Sequence, residues 1–178
     1  SIKKWGTAYG SSRNANIKLS IYETAEKLLA KNLGSEASLT VSSGMLAGKL
    51  VVEQLSNTTD AIFHFPDTHP AIMNANSLPI EIKGELNPKI FDKNISKITV
   101  TTDAYPSQNV KPIDLSILLE KPKEKEINLV IDESHSIGII GNEWQNYLKK
   151  KTININELPR GRASRYRVTR KITAIDFC

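Results

Sequence analysis

A largely apolar run, INLVI, spans residues 127–131 and stops abruptly at acid, imidazole and hydroxyl groups: Asp132, Glu133, His135 and Ser136, before IGIIG leads to Gly141. A short run of this kind, rich in β-branched residues and bounded by polar ones, suits a strand buried on both faces of a parallel sheet. Open α/β sheets bind ligands at the carboxyl ends of their strands, so the polar cluster is expected to face a site. The other strands must then identify the ligand.

Read in order, the chain alternates strands and helices. Residues 1–16, with Gly6, Gly10, Ser11 and Ser12, read as a loop. Ser20 and Glu23 have capping-box spacing, Ile21, Ala25, Leu28, Leu29 and Leu33 follow the helical period, and Gly34 supplies a stop. A short strand is expected over Ala37–Ser43, then a helix from Gly44 through Leu55. Such a strand-to-helix turn at Ser43, Gly44 and Met45 presents unpaired N–H groups at the positive end of the helix dipole, which suits a phosphate. A buried strand, Ala61–Phe65, ends in PDTHPA and puts His69 in a loop; His64 reads as a core or sheet-face histidine. Ile80–Leu86 reads as a strand before a break at Asn87 and Pro88. The segment from Ile95 to Ser107 is a strand running into a polar loop, and Asp114–Lys121 is a short helix. This alternation predicts a three-layer α/β/α fold with a mostly parallel sheet.

Charge is distributed unevenly. Residues 159–178 hold Arg160, Arg162, Arg165, Arg167, Arg170 and Lys171 against Asp176 alone, which accounts for the whole net charge of +5. The first 158 residues are neutral and use lysine almost exclusively, with Arg13 the exception. A basic tail could be a solvated appendage, a nucleic-acid arm, or a segment not native to the domain, left by a frameshift or truncation. The last is preferred, which divides the chain into residues 1–158 and 159–178. The lone cysteine, Cys178, permits neither an intrachain disulfide nor a cysteine-based zinc site. No apolar run approaches the roughly 20 residues of a membrane helix, and the start, SIKKWGTAYG, lacks a signal-peptide core. The expected location is therefore the cytoplasm, with no membrane partner.

VIDESH also has the form of the DExH signature of ATP-hydrolysing helicases. Such chemistry requires a phosphate loop upstream. Gly44–Lys49 is one residue short of that loop and has Leu50 where a metal-binding hydroxyl belongs. A degenerate ATPase, and a nucleic-acid or protein binding module using the basic tail, are therefore alternatives only.

The segments GTAYGSSR (6–13), YETAEKLLAKNLGSEASLTVSSGMLAGKL (22–50), DTHPA (67–71), TTDAYPS (101–107) and VIDESHSIGIIG (130–141) stand in an order that resembles the pyridoxal-phosphate-dependent transferases of aspartate aminotransferase fold, fold type I. The resemblance is greatest to the class II aminotransferase branch, the α-oxoamine synthases, and covers about residues 5–158 as the N-terminal part of the large domain. It implies pyridoxal 5'-phosphate as cofactor, an amino-acid substrate and, for an acyl-condensing parent, an acyl-CoA. It also implies a homodimer in amino-acid metabolism or biosynthesis, and makes nucleic acid an unexpected partner; no metal site is implied. By the same resemblance Asp132 pairs with the protonated pyridine nitrogen, and His135 hydrogen-bonds the ring's phenolic oxygen with Ser107 nearby. His69 stacks on the ring face, and Ser43, Gly44 and Met45 hold the phosphate. Two positions depart from the family: Met45 stands where an aromatic residue is usual, and Gly48 where asparagine is usual. Glu133 reads as a supporting or capping group, Trp5 and Tyr9 as packing groups, and Arg13 as a salt-bridge partner.

Catalysis in this family needs a lysine that forms the Schiff base with the cofactor and shuttles a proton. The resemblance puts it on the strand after Asp132, where this chain has Arg162 and its arginine-rich surroundings. Lys149–Lys151 come too early, and Lys171 lies between Arg170 and Ile172. The expectation is a partial, catalytically silent transferase without its Schiff-base lysine.

Overall fold

The computed structural model describes residues 2–5, 19–33, 35–109, 111–120, 125–136 and 167–174, the side chains of residues 2, 5, 119, 120 and 167–174 excepted. The expectations for Gly34, Tyr9, Arg13 and Lys149–Lys151, for Arg162 and for the Trp5 side chain fall outside the described residues. Two compact units are present, Ser1–Thr40 and Val41–Cys178.

The first unit contains α1 (Ile2–Trp5) and α2 (Ser20–Leu33). α2 starts at Ser20, and its end is closed by the Ser35 N–H reaching back to the Ala30 carbonyl at 3.0 Å, the longer of the two bonds of a Schellman closure. Residues 37–43, expected to form a strand, do not. The Thr40 N–H and hydroxyl both donate to Glu26 Oε1, at 2.6 and 2.9 Å, and Ser38 Oγ donates to the Glu26 carbonyl. A helix side chain thus meets the hydrogen-bonding need that a neighbouring strand would have met.

The second unit is built on a five-stranded parallel sheet in the order β2 (Leu78–Pro79), β1 (Ala61–His64), β5 (Lys97–Asp103), β6 (Glu126–Asp132), β7 (Arg167–Ala174). The sheet agrees with the expected α/β class. The segment from Ile80 to Leu86 is not one strand. It is a small antiparallel hairpin, β3 (Glu81–Ile82) and β4 (Glu85–Leu86), reversed at Lys83 and Gly84. Both have positive φ, 55° and 82°, the left-handed pair that a two-residue hairpin turn needs and that glycine provides most cheaply. The helix expected over Asp114–Lys121 is a single turn, α4 (Ile117–Glu120), entered through an Asp114 carboxylate that accepts the Ser116 N–H.

Period-two alternation sorts the strand residues onto two faces. On one, Phe63, Ile98, Val100, Ile127, Leu129 and Ile131 pack with Phe65, Ile80, Ile90 and Leu115. On the other, Ile62 and Val130 meet Val52 and Leu55 of α3 (Gly44–Ser56), with Ile72. Each fully buried side chain of this size contributes about 1.5–3 kcal/mol. β5 is buried at every position after Lys97, as befits a central parallel strand.

Part of the arginine-rich segment joins this sheet. Arg167–Ala174 pairs with β6 from Glu126↔Arg167 to Asp132↔Ala174, with an irregularity where the register passes from Val168 to Arg170. The basic charge hides a β-branched set, Val168, Thr169, Ile172 and Thr173, which favours a strand.

The edge of the sheet opposite the strand tips is held by polar bonds. Lys125 is buried and its ammonium donates to the Asp92 and Ile95 carbonyls. Asp60 Oδ2 accepts the Ser96 N–H at 2.7 Å, the Ser96 hydroxyl at 3.0 Å and the Lys97 N–H at 2.8 Å. The Lys97 and Ser96 backbone N–H groups, then the Ser96 hydroxyl, hold the Asp60 carboxyl below its ordinary range. A depressed carboxylate stabilises the fold above the unfolded pKa, about 3.9, and ceases to do so as pH falls through the folded value. Asp60→Asn is therefore expected to be less stable than the parent at neutral pH, the gap closing below about pH 4. Urea titrations at both pH values measure it.

Candidate functional site

Parallel pairing brings the polar tips together. β5 and β6 are in register from Lys97↔Glu126 to Asp103↔Asp132, so the two aspartates end adjacent strands side by side. The β1 tip lies next to them, since His64 pairs with Thr101. Beyond it, Asp67 takes a positive φ of 60°, and the chain turns back through Thr68, whose hydroxyl donates to the Phe65 carbonyl at 2.7 Å. That turn delivers His69, whose backbone N–H donates to Asp103 Oδ1 at 3.0 Å.

α3 connects to β1 through a short turn and packs along it, its Leu55 end tied by Thr58 and Thr59 at the start of β1. Its first turn therefore lies at the strand tips. Ser43 caps the helix: its hydroxyl accepts the Leu46 N–H at 3.2 Å. Ala47 N–H bonds the Ser43 carbonyl at 3.0 Å, which leaves Gly44 and Met45 N–H without an intrahelical acceptor, as at any helix start. Gly48, one of the departures from the family pattern, has a steric cause. A β-carbon there would lie 2.4 Å from the Ala71 carbonyl oxygen, so glycine lets α3 rest directly on the turn that carries His69.

At the centre, Asp132 is half-buried, and its Oδ1 accepts the Ser134 N–H at 2.9 Å and the Ser134 hydroxyl. Its second oxygen has no hydrogen bond among the described residues. The His69 ring is held by its Nδ1, which accepts the Ala71 N–H at 3.2 Å; the proton of the neutral ring is then on Nε2. His135 is exposed in the turn after β6. Glu133 is fully buried and accepts the Ser136 hydroxyl. His64 is half-buried on the sheet, its Nδ1 3.1 Å from the Ser77 hydroxyl, and desolvation depresses its pKa. Ser107 is exposed in the turn that follows β5.

Of the residues singled out in the sequence, His69, Asp132 and His135 gather at the strand tips, with Ser43, Gly44 and Met45 at the same edge. Sequence reading missed Asp103. Burial, first, and the neighbouring Asp132 raise its pKa, while the His69 N–H and the imidazoles of His69 and His135 act the other way. The signal was available: an acid ends ITVTTD as Asp132 ends INLVID, and parallel neighbours with acidic tips meet.

These residues fit pyridoxal phosphate. Asp132 offers one engaged and one available carboxylate oxygen, the helix start offers two N–H groups, and two imidazoles stand near. No lysine stands at the tip of β7. Lys171 is at the register of Leu129, three residues short of Asp132, or about 10 Å along a strand. Buried Lys125 is at the far end of β6, roughly 20 Å away. Among the described residues no group of acids, histidines or cysteines could hold a metal, and no helix is long and apolar enough to cross a membrane.

No family model matches the chain. It is 27% identical over 165 residues to 8-amino-7-oxononanoate synthase of Herminiimonas arsenicoxydans, a match covering 88% of this chain and 42% of that protein. It is 24% identical over 150 residues to serine palmitoyltransferase of Bacteriovorax stolpii, covering 79% and 36%. Among solved structures, serine palmitoyltransferase of Sphingomonas wittichii superposes with a TM-score of 0.67 at 17% identity, covering 85% of this chain and 40% of that one. The 8-amino-7-oxononanoate synthase of Francisella tularensis gives 0.59 at 23% identity, covering 83% and 42%. The structures share the fold, and the chain spans about two fifths of the length of the relatives it matches. Over part of their length the chain is thus similar to α-oxoamine synthases, pyridoxal-phosphate-dependent transferases of fold type I.

Because the α3 contact leaves no room at residue 48, Gly48→Ala is expected to destabilise the fold by about 1–3 kcal/mol, the usual cost of overpacking, despite the better helix propensity of alanine. Denaturant unfolding measures the loss.

Proposed function

We propose that residues 1–158 form part of the large domain of an α-oxoamine synthase or related class I/II aminotransferase, whose parent acts on an amino acid with or without an acyl-CoA, and that this chain binds pyridoxal phosphate without turning over substrate. The observation that carries the reading is the shared strand edge: Asp132, His69, His135 and the first turn of α3 at the tips of adjacent parallel strands. When bound, the cofactor supplies an electron sink for a carbanion at the substrate's α-carbon.

The free oxygen of Asp132 is suited to a protonated ring nitrogen, and its charge keeps that proton in place. Ser134 holds the other oxygen and so fixes the carboxylate plane. His69 covers a ring face, its orientation fixed by the Ala71 N–H, and His135 reaches the phenolic oxygen. Gly44 and Met45 N–H, with Ser43, bind the phosphate at the positive end of α3. Ser107 lies near the phenolic oxygen in this reading. Exposed Met45, Leu46 and Leu50 on α3 support a second copy covering this edge, as in a homodimer.

Silence follows from the missing anchor. The register of Lys171 supports it. The composition supports a separate origin for residues 159–178, since five of the six arginines lie beyond Leu158.

Titration of the purified chain with pyridoxal phosphate, followed by cofactor absorbance and fluorescence, is expected to give saturable binding. Asp132→Ala should weaken it at least about tenfold, the scale of one charge-assisted hydrogen bond. Borohydride reduction and peptide mass mapping should find no pyridoxyl label at Lys171. Specific labelling there would refute the silence, and an affinity indifferent to Asp132→Ala would refute the cofactor assignment.

A further inference from the structure

The reading above leaves Asp103 without a role, although the side chain is only 3% exposed at the last position of β5. Residues in register on neighbouring parallel strands project to the same side of the sheet, so Asp103 shares a side with Asp132. A buried carboxyl beside a second carboxyl needs a reason. The hydrogen bonds supply one. Asp103 Oδ1 takes the His69 backbone N–H at 3.0 Å, across 34 positions of sequence. Next to it, the Thr68 hydroxyl that donates to the Phe65 carbonyl also lies 3.3 Å from the Thr101 carbonyl, a weaker contact between the β1 turn and β5. The imidazole is oriented from its other side by Ala71, and Ala71 is pressed against Gly48 of α3. His69 is thus held at its main chain by β5 and at its ring by its own turn.

We infer that Asp103 is a positioning residue: it anchors the main chain of His69 to the β5 tip and so sets the imidazole against the site edge that Asp132 forms. The inference rests on the cofactor reading for what His69 covers, and on the hydrogen bonds alone for how His69 is held. The titratable groups around Asp103 are Asp132 on β6, His135 in the turn after β6 and His69 in the turn after β1. An ionised carboxylate is the stronger acceptor. His69 is therefore held more firmly as pH rises through the Asp103 titration, whose midpoint lies above the ordinary carboxylate range because of burial.

The test is heteronuclear NMR on the full chain without cofactor, across about pH 4–8. The His69 amide proton is expected to move downfield with the same midpoint as the Asp103 carboxyl carbon. Asp103→Asn keeps an oxygen acceptor, so exchange of the His69 amide should stay within about twofold of the parent, whereas Asp103→Ala should speed it about tenfold, the loss of one hydrogen bond. Pyridoxal phosphate affinity should follow the same order, near-parental in Asp103→Asn and about tenfold weaker in Asp103→Ala. A His69 amide that ignores the Asp103 titration overturns the inference, and this holds even if Asp103→Ala does not fold. Parental exchange in a folded Asp103→Ala also overturns it. Coupled titrations in a chain that binds no pyridoxal phosphate support the Asp103–His69 tie and overturn the cofactor reading instead.

Discussion

The in-register parallel pairing of β5 with β6 is the constraint on which the site depends. Seven residue pairs run from Lys97↔Glu126 to Asp103↔Asp132. The pairing starts beside Asp60, which gathers the Ser96 and Lys97 N–H groups on one carboxylate oxygen, and Lys97 Nζ meets Glu126 at 2.9 Å. With one end of the ladder fixed and both faces buried, a slip by one residue would send Ile98, Val100, Leu129 and Ile131 to the wrong side. The same ladder decides that two carboxyls, six residues later, arrive together.

From that edge the rest of the geometry follows by contact. β1 pairs with β5 and carries the turn with His69, α3 packs on β1 and brings its first turn to the same edge, and Gly48 allows the approach. Gly48 lets a backbone carbonyl occupy the space of a side chain. The consequence is an edge whose His69 and Asp132 are held by backbone bonds to a neighbouring strand and to their own turns, with no lysine on the following strand at the level of Asp132.

Much of this was legible in the sequence. The buried strands announced themselves as β-branched runs stopped by polar residues, and the helix read from Gly44 through Leu55 by the Ser-Ser-Gly turn that opens it; it runs Gly44–Ser56. Failures had local causes. Ala37–Ser43 looks like a strand, but Glu26 takes its Thr40 N–H. Ile80–Leu86 alternates like a strand, but Lys83 and Gly84 turn it back on itself. The arginine count hid the β-branched residues of Arg167–Ala174, and single-strand reading hid Asp103.

By itself the sequence determined the α/β class, the strands that end in chemistry and the resemblance to pyridoxal-phosphate transferases. These are properties of residue type and order, which periodicity and motif spacing express directly. Only the tertiary structure decided that Asp103 stands beside Asp132 and holds His69, that Gly48 is a contact point, and that Lys171 falls short of the strand tip. Each of these depends on the register between segments far apart in the chain, and register is set by packing on both faces of the sheet, which no single segment contains.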